Sequence, residues 1–268
     1  MSVSHNENNV MCYEHPLNER MRAFLRLEHL FQRFEHQISQ CGDGQGNDVW
    51  SSRIGLESII DVLTILARMD IKSELIKELE RQAVTFQNLA NNPNVDSDRL
   101  ADILTTTKHS LNVVRSMESI PGAELQQNVL LNTVRQRSSI PAGACGFDIP
   151  SFDYWLQGSP TRRKNDLVGW YSAFNNIRGG ISLCLRLLRE SATMSREQAM
   201  GGFFQRVVNK TLPLQLVRVV LLKGTPWYPE ISAGRHRFII RFMVTVAMDK
   251  RPTQTEENVE FQLFYCVI

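Results

Sequence analysis

The sequence predicts an α+β protein: an N-terminal all-α helical domain over residues 17–191, followed by a small antiparallel β-sheet or sandwich domain over residues 192–268. Two changes of pattern support this. Apolar residues recur every three or four positions up to about residue 191, which is typical of helices, and alternate after about residue 192, which is typical of strands. The chain has 268 residues, of which 43% are hydrophobic, so it can build one or two domains and is not mainly disordered.

The helical half divides at glycine- and proline-containing breaks. Phe24, Leu27, Phe31 and Phe34 step by three and four, which places them on one face of a first helix. Breaks at 41–48, 91–94 and 138–150 contain glycine, proline or asparagine and are expected to be loops. Further helices are expected around 56–66, 75–86, 100–114, 123–136, 161–174 and 177–190.

The second half alternates with a period of two. Strands are expected within 203–208, 217–221, 236–246 and 258–268, while "KGTPWYP" (223–229) is expected to be a turn. In "RHRFIIRFM" (235–243), successive side chains of a strand point to opposite faces. Phe238, Ile240 and Phe242 are therefore expected in the core, and Arg235, Arg237 and Arg241 on the other face.

The charge of the C-terminal half is uneven. The chain has a net charge of +2, but residues 200–251 contain nine lysines and arginines against Glu230 and Asp249. The arginine row is either a solubilising outer face or an anion-binding face, and the absence of neighbouring acids favours the second. An acidic peptide, a nucleic acid and a phosphate-bearing surface are all compatible with it.

The sequence carries no clear catalytic or metal-binding pattern. There is no G-x-S-x-G, Walker or HExxH motif, and the five cysteines are scattered without a CxxC pair, which argues against a zinc site or disulfide framework. His29 and His36 lack a third ligand, and Cys145 has no histidine near it in sequence. We therefore expect a protein that is not an enzyme and has no cofactor, no metal and no membrane insertion, in the cytoplasm with reduced thiols. A thiol enzyme built on Cys145 is the catalytic alternative.

Four segments resemble a known family. They are "YEHPLNERMRAFLRLE" (13–28), "SELIKELERQ" (73–82), "VRQRSSIPAGACGFDIPSFDYWL" (134–156) and "YPEISAGRHRFIIRFM" (228–243). Together they resemble the signature blocks of the ZapD family of bacterial cell division proteins, which associate with FtsZ. The resemblance implies a cytoplasmic homodimer at the mid-cell division site that binds the C-terminal tail of FtsZ, bundles FtsZ protofilaments and stabilises the Z-ring.

The resemblance also assigns residues. The basic surface of the family corresponds to Arg237 and Arg241 in the β domain and to Arg68 in the helical domain. Arg135 and Arg137 fall in another matching block, and Arg235 belongs to the same arginine row. Residues 10–16 are implied to add a strand to the C-terminal sheet.

The alternative function from the residues alone is a nucleic-acid-binding regulator that uses the basic strands. Such proteins usually show more lysine or exposed aromatics among the basic residues, whereas the aromatics of 235–243 alternate with the arginines. We therefore expect no nucleic-acid partner.

Overall fold

The computed structural model describes residues 9–40, 49–90, 95–208, 214–234, 237–245 and 247–267. The chain forms two compact units. One consists of Ala23–Leu185, and the other of Arg186–Ile268 together with the segment up to Arg22. The first is helical and the second is mainly antiparallel sheet, so the predicted α+β class is confirmed.

The helices agree with the predicted periodicity in type and approximate position. Their bounds are α1 Glu19–Gln40, α2 Val49–Arg68, α3 Ile71–Leu89, α4 Ser97–Arg115, α5 Val129–Arg137, α6 Pro150–Leu156, α7 Pro160–Ser172 and α8 Asn175–Glu190. Asp70 accepts a hydrogen bond from the Ser73 amide and caps α3, as Asp96 caps α4. Within the described residues, no helix is both long and apolar enough to cross a membrane.

The core of the helical unit is formed by the stripes that the sequence placed on one face. Five of these side chains are fully buried: Phe24, Leu27, Leu56, Leu75 and Ile181. Burying one such side chain contributes about 1.5–3 kcal/mol relative to leaving it in water. The predicted apolar faces of the first, second, third and last helices are therefore buried in the core.

Two details of the helical prediction are wrong. The helix expected over 123–136 is a short 3₁₀ helix, Ala123–Gln127, followed by α5. The break comes at Asn128, whose backbone is extended. Its side chain accepts a hydrogen bond from the Leu131 amide and so caps α5. Asparagine favours such a local hydrogen bond over a position inside a helix. The segment expected to be irregular, 138–150, does consist of turns up to Ile149, but α6 after it was not predicted. This helix begins at Pro150, where a missing amide is tolerated.

The β unit contains two four-stranded sheets. The first sheet has the order β1-β4-β8-β2, and the second has β3-β6-β5 with β7 also paired to β6. The strands are β1 Val10–Pro16, β2 Thr193–Ala199, β3 Phe203–Val207, β4 Leu214–Leu222, β5 Trp227–Ala233, β6 Arg237–Val244, β7 Thr253–Gln254 and β8 Val259–Val267. All pairs are antiparallel, and β1 adds beside β4, which confirms the N-terminal strand that the resemblance implied.

The two sheets share one core. It contains Phe238, Ile240 and Phe242 from β6, together with Val219 from β4 and Leu263 from β8. Each of these five is at most 1% exposed. The alternation in "RHRFIIRFM" therefore has the predicted polarity, with its large apolar residues turned inward.

A two-residue turn carries the chain from one sheet to the other. Met200 and Phe203 exchange both backbone hydrogen bonds around Gly201 and Gly202, whose φ angles are +53° and +68°. Positive φ at both central positions is the requirement of a type I′ turn, which glycine meets without steric cost. At Gly202 a Cβ atom would also lie 2.6 Å from the Thr255 carbonyl oxygen. This turn fixes where β3, and with it Phe203, begins.

Three strands were not predicted. β2 has polar residues on both faces, so its sequence alternates weakly, and the two-residue β7 is too short to show a pattern. The turn expected over 223–229 covers only residues 223–226, because β5 begins at Trp227. Pro229 lies inside β5, and this is tolerated because β5 is an edge strand whose outer amides need no partner.

His15 is expected to make the stability of the β unit depend on pH. Its register partner is the buried Val217, and burial, with a smaller effect of Arg22, lowers the pKa of His15 from 6.5. Because the unfolded chain binds this proton more readily, the free energy of unfolding should fall as the pH drops from about 7 towards about 5. Urea denaturation across this range should show a smaller fall for His15→Gln than for the wild type. His29→Gln, at an exposed site, is the control, and equal slopes for both variants would contradict the expectation.

Candidate functional site

The candidate site is the outer face of the second sheet. It is called here the arginine face and is made of the side chains of β3, β5 and β6 that point away from the core. They are Phe203, Gln205, Val207, Tyr228, Glu230, Ser232, Arg237, Ile239, Arg241 and Met243. Because β6 lies between β3 and β5, its arginines stand in the middle of the face.

Arg237 and Arg241 are brought together on one strand. Both are exposed, and four residues of strand separate their Cα atoms by about 13 Å. Ile239 lies between them and is partly exposed. Among the described residues, neither arginine forms an ion pair. No carboxylate of the described part of the chain competes for their guanidinium groups, which can therefore bind an external anion.

Other arginines of the basic stretch are neutralised internally. Arg206 lies on the core side of β3, where it forms an ion pair with Glu197 at 2.9 Å and donates a hydrogen bond to the Tyr265 hydroxyl. Burial raises the pKa of that phenol, which keeps it protonated. The excess of nine cations over two acids in 200–251 therefore overstates the free positive charge, because some of the balancing acids lie outside that stretch.

Arg218 shows the same effect on the first sheet. Its Nε lies 2.9 Å from Glu14 Oε1. Arg189 donates to both oxygens of the same carboxylate, at 2.9 and 2.7 Å. Glu14 belongs to β1, far from Arg218 in sequence, so charge counting along the chain could not pair them. Within the described strands of the second sheet, Arg206 is therefore paired internally, whereas Arg237 and Arg241 have no ion-pair partner.

Apolar side chains surround these two arginines. Phe203 is the register partner of Arg241 on β3, and Val207 is the partner of Arg237. They are 39% and 71% exposed. On the other side, Tyr228 is the partner of Met243, and both are partly exposed. The aromatics within 235–243 are core, as expected, but the neighbouring strands bring Phe203 and Tyr228 to the arginine face.

One acid belongs to the same face. Glu230 of β5 is the register partner of Arg241, and cross-strand partners have Cβ atoms about 4.5–5.5 Å apart. Glu230 is exposed, and no ion pair joins it to Arg241 among the described side chains. The expected row of cations is therefore a mixed face with one carboxylate near its centre.

The other predicted arginines lie in the helical unit. Arg68 is exposed in the last turn of α2 and lines a surface groove of about 520 Å³ with Ile120 and Pro121. Arg135 donates to Asn132 Oδ1 at 3.0 Å, and Arg137 lies 3.8 Å from Asp148 Oδ1. Both occupy the last turn of α5, where the helix dipole favours cations.

Two further sequence predictions concern residues outside this geometry. Arg235 lies outside the described residues. Cys145 donates a hydrogen bond to Asp148 Oδ2 at 3.2 Å, and a carboxylate partner does not activate a thiol as a histidine would. Among the described residues, no three histidine, cysteine, aspartate or glutamate side chains are arranged to hold a metal ion.

The arginine face has the chemistry of a reversible binding surface. Guanidinium groups bind carboxylates through paired, charge-assisted hydrogen bonds. Exposed Phe203 and partly exposed Ile239 and Met243 offer contact area to apolar groups. The face is one side of a β-sheet, and such a surface suits an extended or helical segment of another protein better than a small molecule, which binds in a concave pocket.

Comparison with known proteins agrees with the block resemblance. Residues 25–241 match the model of the ZapD family, described as "Cell division protein". "Cell division protein ZapD" of Methylococcus capsulatus is 38% identical over 260 residues, which cover 97% of this chain and 99% of that protein. The protein of the same name from Aromatoleum aromaticum is 34% identical, covering 96% and 97%. That from Coxiella burnetii is 33% identical, covering 96% and 98%.

Proposed function

Because the chain belongs to the ZapD family of cell division proteins, we propose that it binds the C-terminal tail of FtsZ and, as a homodimer, bundles FtsZ protofilaments. It would act in the cytoplasm at the mid-cell division site and stabilise the Z-ring without catalysing a reaction. The observation that carries this proposal is the arginine face, where Arg237 and Arg241, without an ion pair among the described residues, alternate with partly exposed apolar side chains.

The proposed mechanism of tail binding is an exchange of water for carboxylate and apolar contacts. Each charge-assisted hydrogen bond from Arg237 or Arg241 to a tail carboxylate contributes about 1.5–3 kcal/mol when water is partly excluded. Apolar side chains of the tail would cover Phe203 and Ile239 and provide that exclusion. A flexible tail loses conformational entropy on binding, so the affinity of one site is expected to be modest.

The remaining arginines are proposed contacts from the family resemblance. Arg235 belongs to the sequence row of Arg237 and Arg241. In the helical unit, Arg68 is exposed to solvent and accessible to a ligand. Arg137 would have to exchange Asp148 for a ligand carboxylate, and Arg135 would have to exchange Asn132.

Dimerisation would convert modest tail binding into bundling. Two tail-binding sites in one dimer can engage tails from neighbouring protofilaments. The second binding event is then intramolecular, and the apparent affinity rises about 10²–10⁴-fold without any new contact. A monomer would bind single tails and leave the filaments separate.

The proposal is tested by co-sedimentation with FtsZ polymers. We expect this protein to pellet with polymers of full-length FtsZ and to thicken them into bundles visible by electron microscopy. When the polymers are made of FtsZ that lacks its C-terminal tail, this protein should remain in the supernatant. Equal pelleting with both forms of FtsZ would refute tail binding, and a monomer by analytical ultracentrifugation would refute the bundling mechanism.

A further inference from the structure

The arginine face contains more apolar surface than anion binding requires. Phe203 and Val207 flank the two arginines on β3, and Ile239 separates them on β6. A solubilising face would carry polar residues at these positions, and a face for phosphates would carry more cations. These side chains therefore add a second requirement to the ligand, which must present apolar groups beside its negative charges.

Glu230 adds a third requirement. It is the register partner of Arg241 on β5 and shares its face. A ligand carboxylate bound to Arg241 would approach the Glu230 carboxylate, and like charges at this separation repel. A ligand with one well-placed carboxylate can avoid Glu230, but a dense polyanion places charge along its whole length and cannot.

Resting on the proposed function, we propose that the arginine face selects a peptide with few carboxylates separated by large apolar side chains. Phe203 and Ile239 contact the apolar side chains, and Glu230 rejects densely charged anions. Charge complementarity favours this ligand. Two exposed arginines that form no ion pair among the described residues attract a sparsely acidic segment. The one acid beside them disfavours nucleic acid or polyphosphate. Glu230 is thus a specificity-determining residue.

The test uses three probes with the full chain. Two are synthetic peptides of equal length and equal net charge, one with Leu and Phe between its Asp residues and one with Ser in their place. The third is inorganic polyphosphate. Fluorescence anisotropy measures the affinity for the two peptides, and calorimetry measures the affinity for polyphosphate. We expect the wild type to bind the apolar peptide about 10-fold more tightly than the serine peptide.

The variants separate the two parts of the proposal. Phe203→Ser and Ile239→Thr should each reduce the preference for the apolar peptide, with Leu222→Ser, an exposed apolar residue of the first sheet, as the control. Glu230→Gln should strengthen polyphosphate binding by about 2- to 5-fold, because one interaction between surface charges changes an affinity by roughly this factor. The gain for the apolar peptide should be smaller. Glu260→Gln, an exposed acid of β8, matches the change in net charge of Glu230→Gln.

The outcomes are distinct from those of the proposed function. Equal affinity of the wild type for the two peptides, or equal effects of Glu230→Gln and Glu260→Gln, would overturn the inference even if FtsZ tail binding is confirmed. If a synthetic FtsZ tail does not bind, while the apolar peptide does and Phe203→Ser weakens it, the proposed partner fails and the selectivity of the face stands. Circular dichroism of each variant checks that the sheet is intact, and Ile239→Thr keeps a β-branched residue for that reason.

Discussion

Arg241→Glu is expected to weaken binding of the FtsZ tail by about 10- to 100-fold. Arg241 stands at the centre of the arginine face, between Phe203 on β3 and Glu230 on β5. The substitution removes the proposed hydrogen bonds to a tail carboxylate and places a second negative charge beside Glu230. The loss should be measured by fluorescence anisotropy with a labelled FtsZ tail peptide.

Arg196→Glu is the matched control for Arg241→Glu. Arg196 is exposed on β2, in the first sheet, so the variant has the same net charge without altering the arginine face. Its affinity should stay close to that of the wild type at moderate salt. If both variants lose affinity equally, long-range attraction by the whole protein explains the effect, and Arg241 has no place in the site.

Arg241 also shows what the sequence could and could not predict about the site. The exposed position of Arg241 follows from strict alternation with buried Ile240 and Phe242, because the period of two is a property of any strand with one buried face. Its neighbours are supplied by β3 and β5, and the order of strands in a sheet is not encoded in local periodicity. Phe203, Tyr228 and Glu230 therefore entered the site only with the structure.

A local signal for part of this arrangement was present. "GG" at 201–202, followed by "FFQRV", is the sequence of a tight turn leading into a strand. This glycine pair would have predicted a hairpin and therefore a strand before it, which is β2. Arg206 would still have been counted as a free charge. Its partner Glu197 lies nine positions earlier, in another sheet, so only the tertiary fold shows that its charge is neutralised.

The helical unit contains a similar case, in which the run "TRRK" (161–164) would ordinarily be a solvated face. Arg162 is exposed, but Arg163 is 1% exposed. Arg163 Nε donates to Ser52 Oγ at 3.0 Å, and its Nη1 donates to the carbonyl oxygens of Leu156 and Gly158. One guanidinium thus connects α2 with the last residue of α6 and with Gly158 just beyond it, a region where helix carbonyls have no partner within the helix itself.

Arg163→Met is expected to lower the free energy of unfolding of the helical unit by about 3–5 kcal/mol. Methionine fills much of the volume but donates no hydrogen bond, so the buried Leu156 carbonyl, the partly buried Gly158 carbonyl and the Ser52 hydroxyl each lose a donor. Urea denaturation followed by far-ultraviolet circular dichroism measures the change. Arg162→Met, one residue earlier on the same helix, should change stability by at most about 0.5 kcal/mol. Unfolding of the two variants at the same urea concentration would contradict this expectation. It would mean that the hydrogen bonds of Arg163 do not stabilise the junction of α2 and α6, and that methionine can replace the buried arginine.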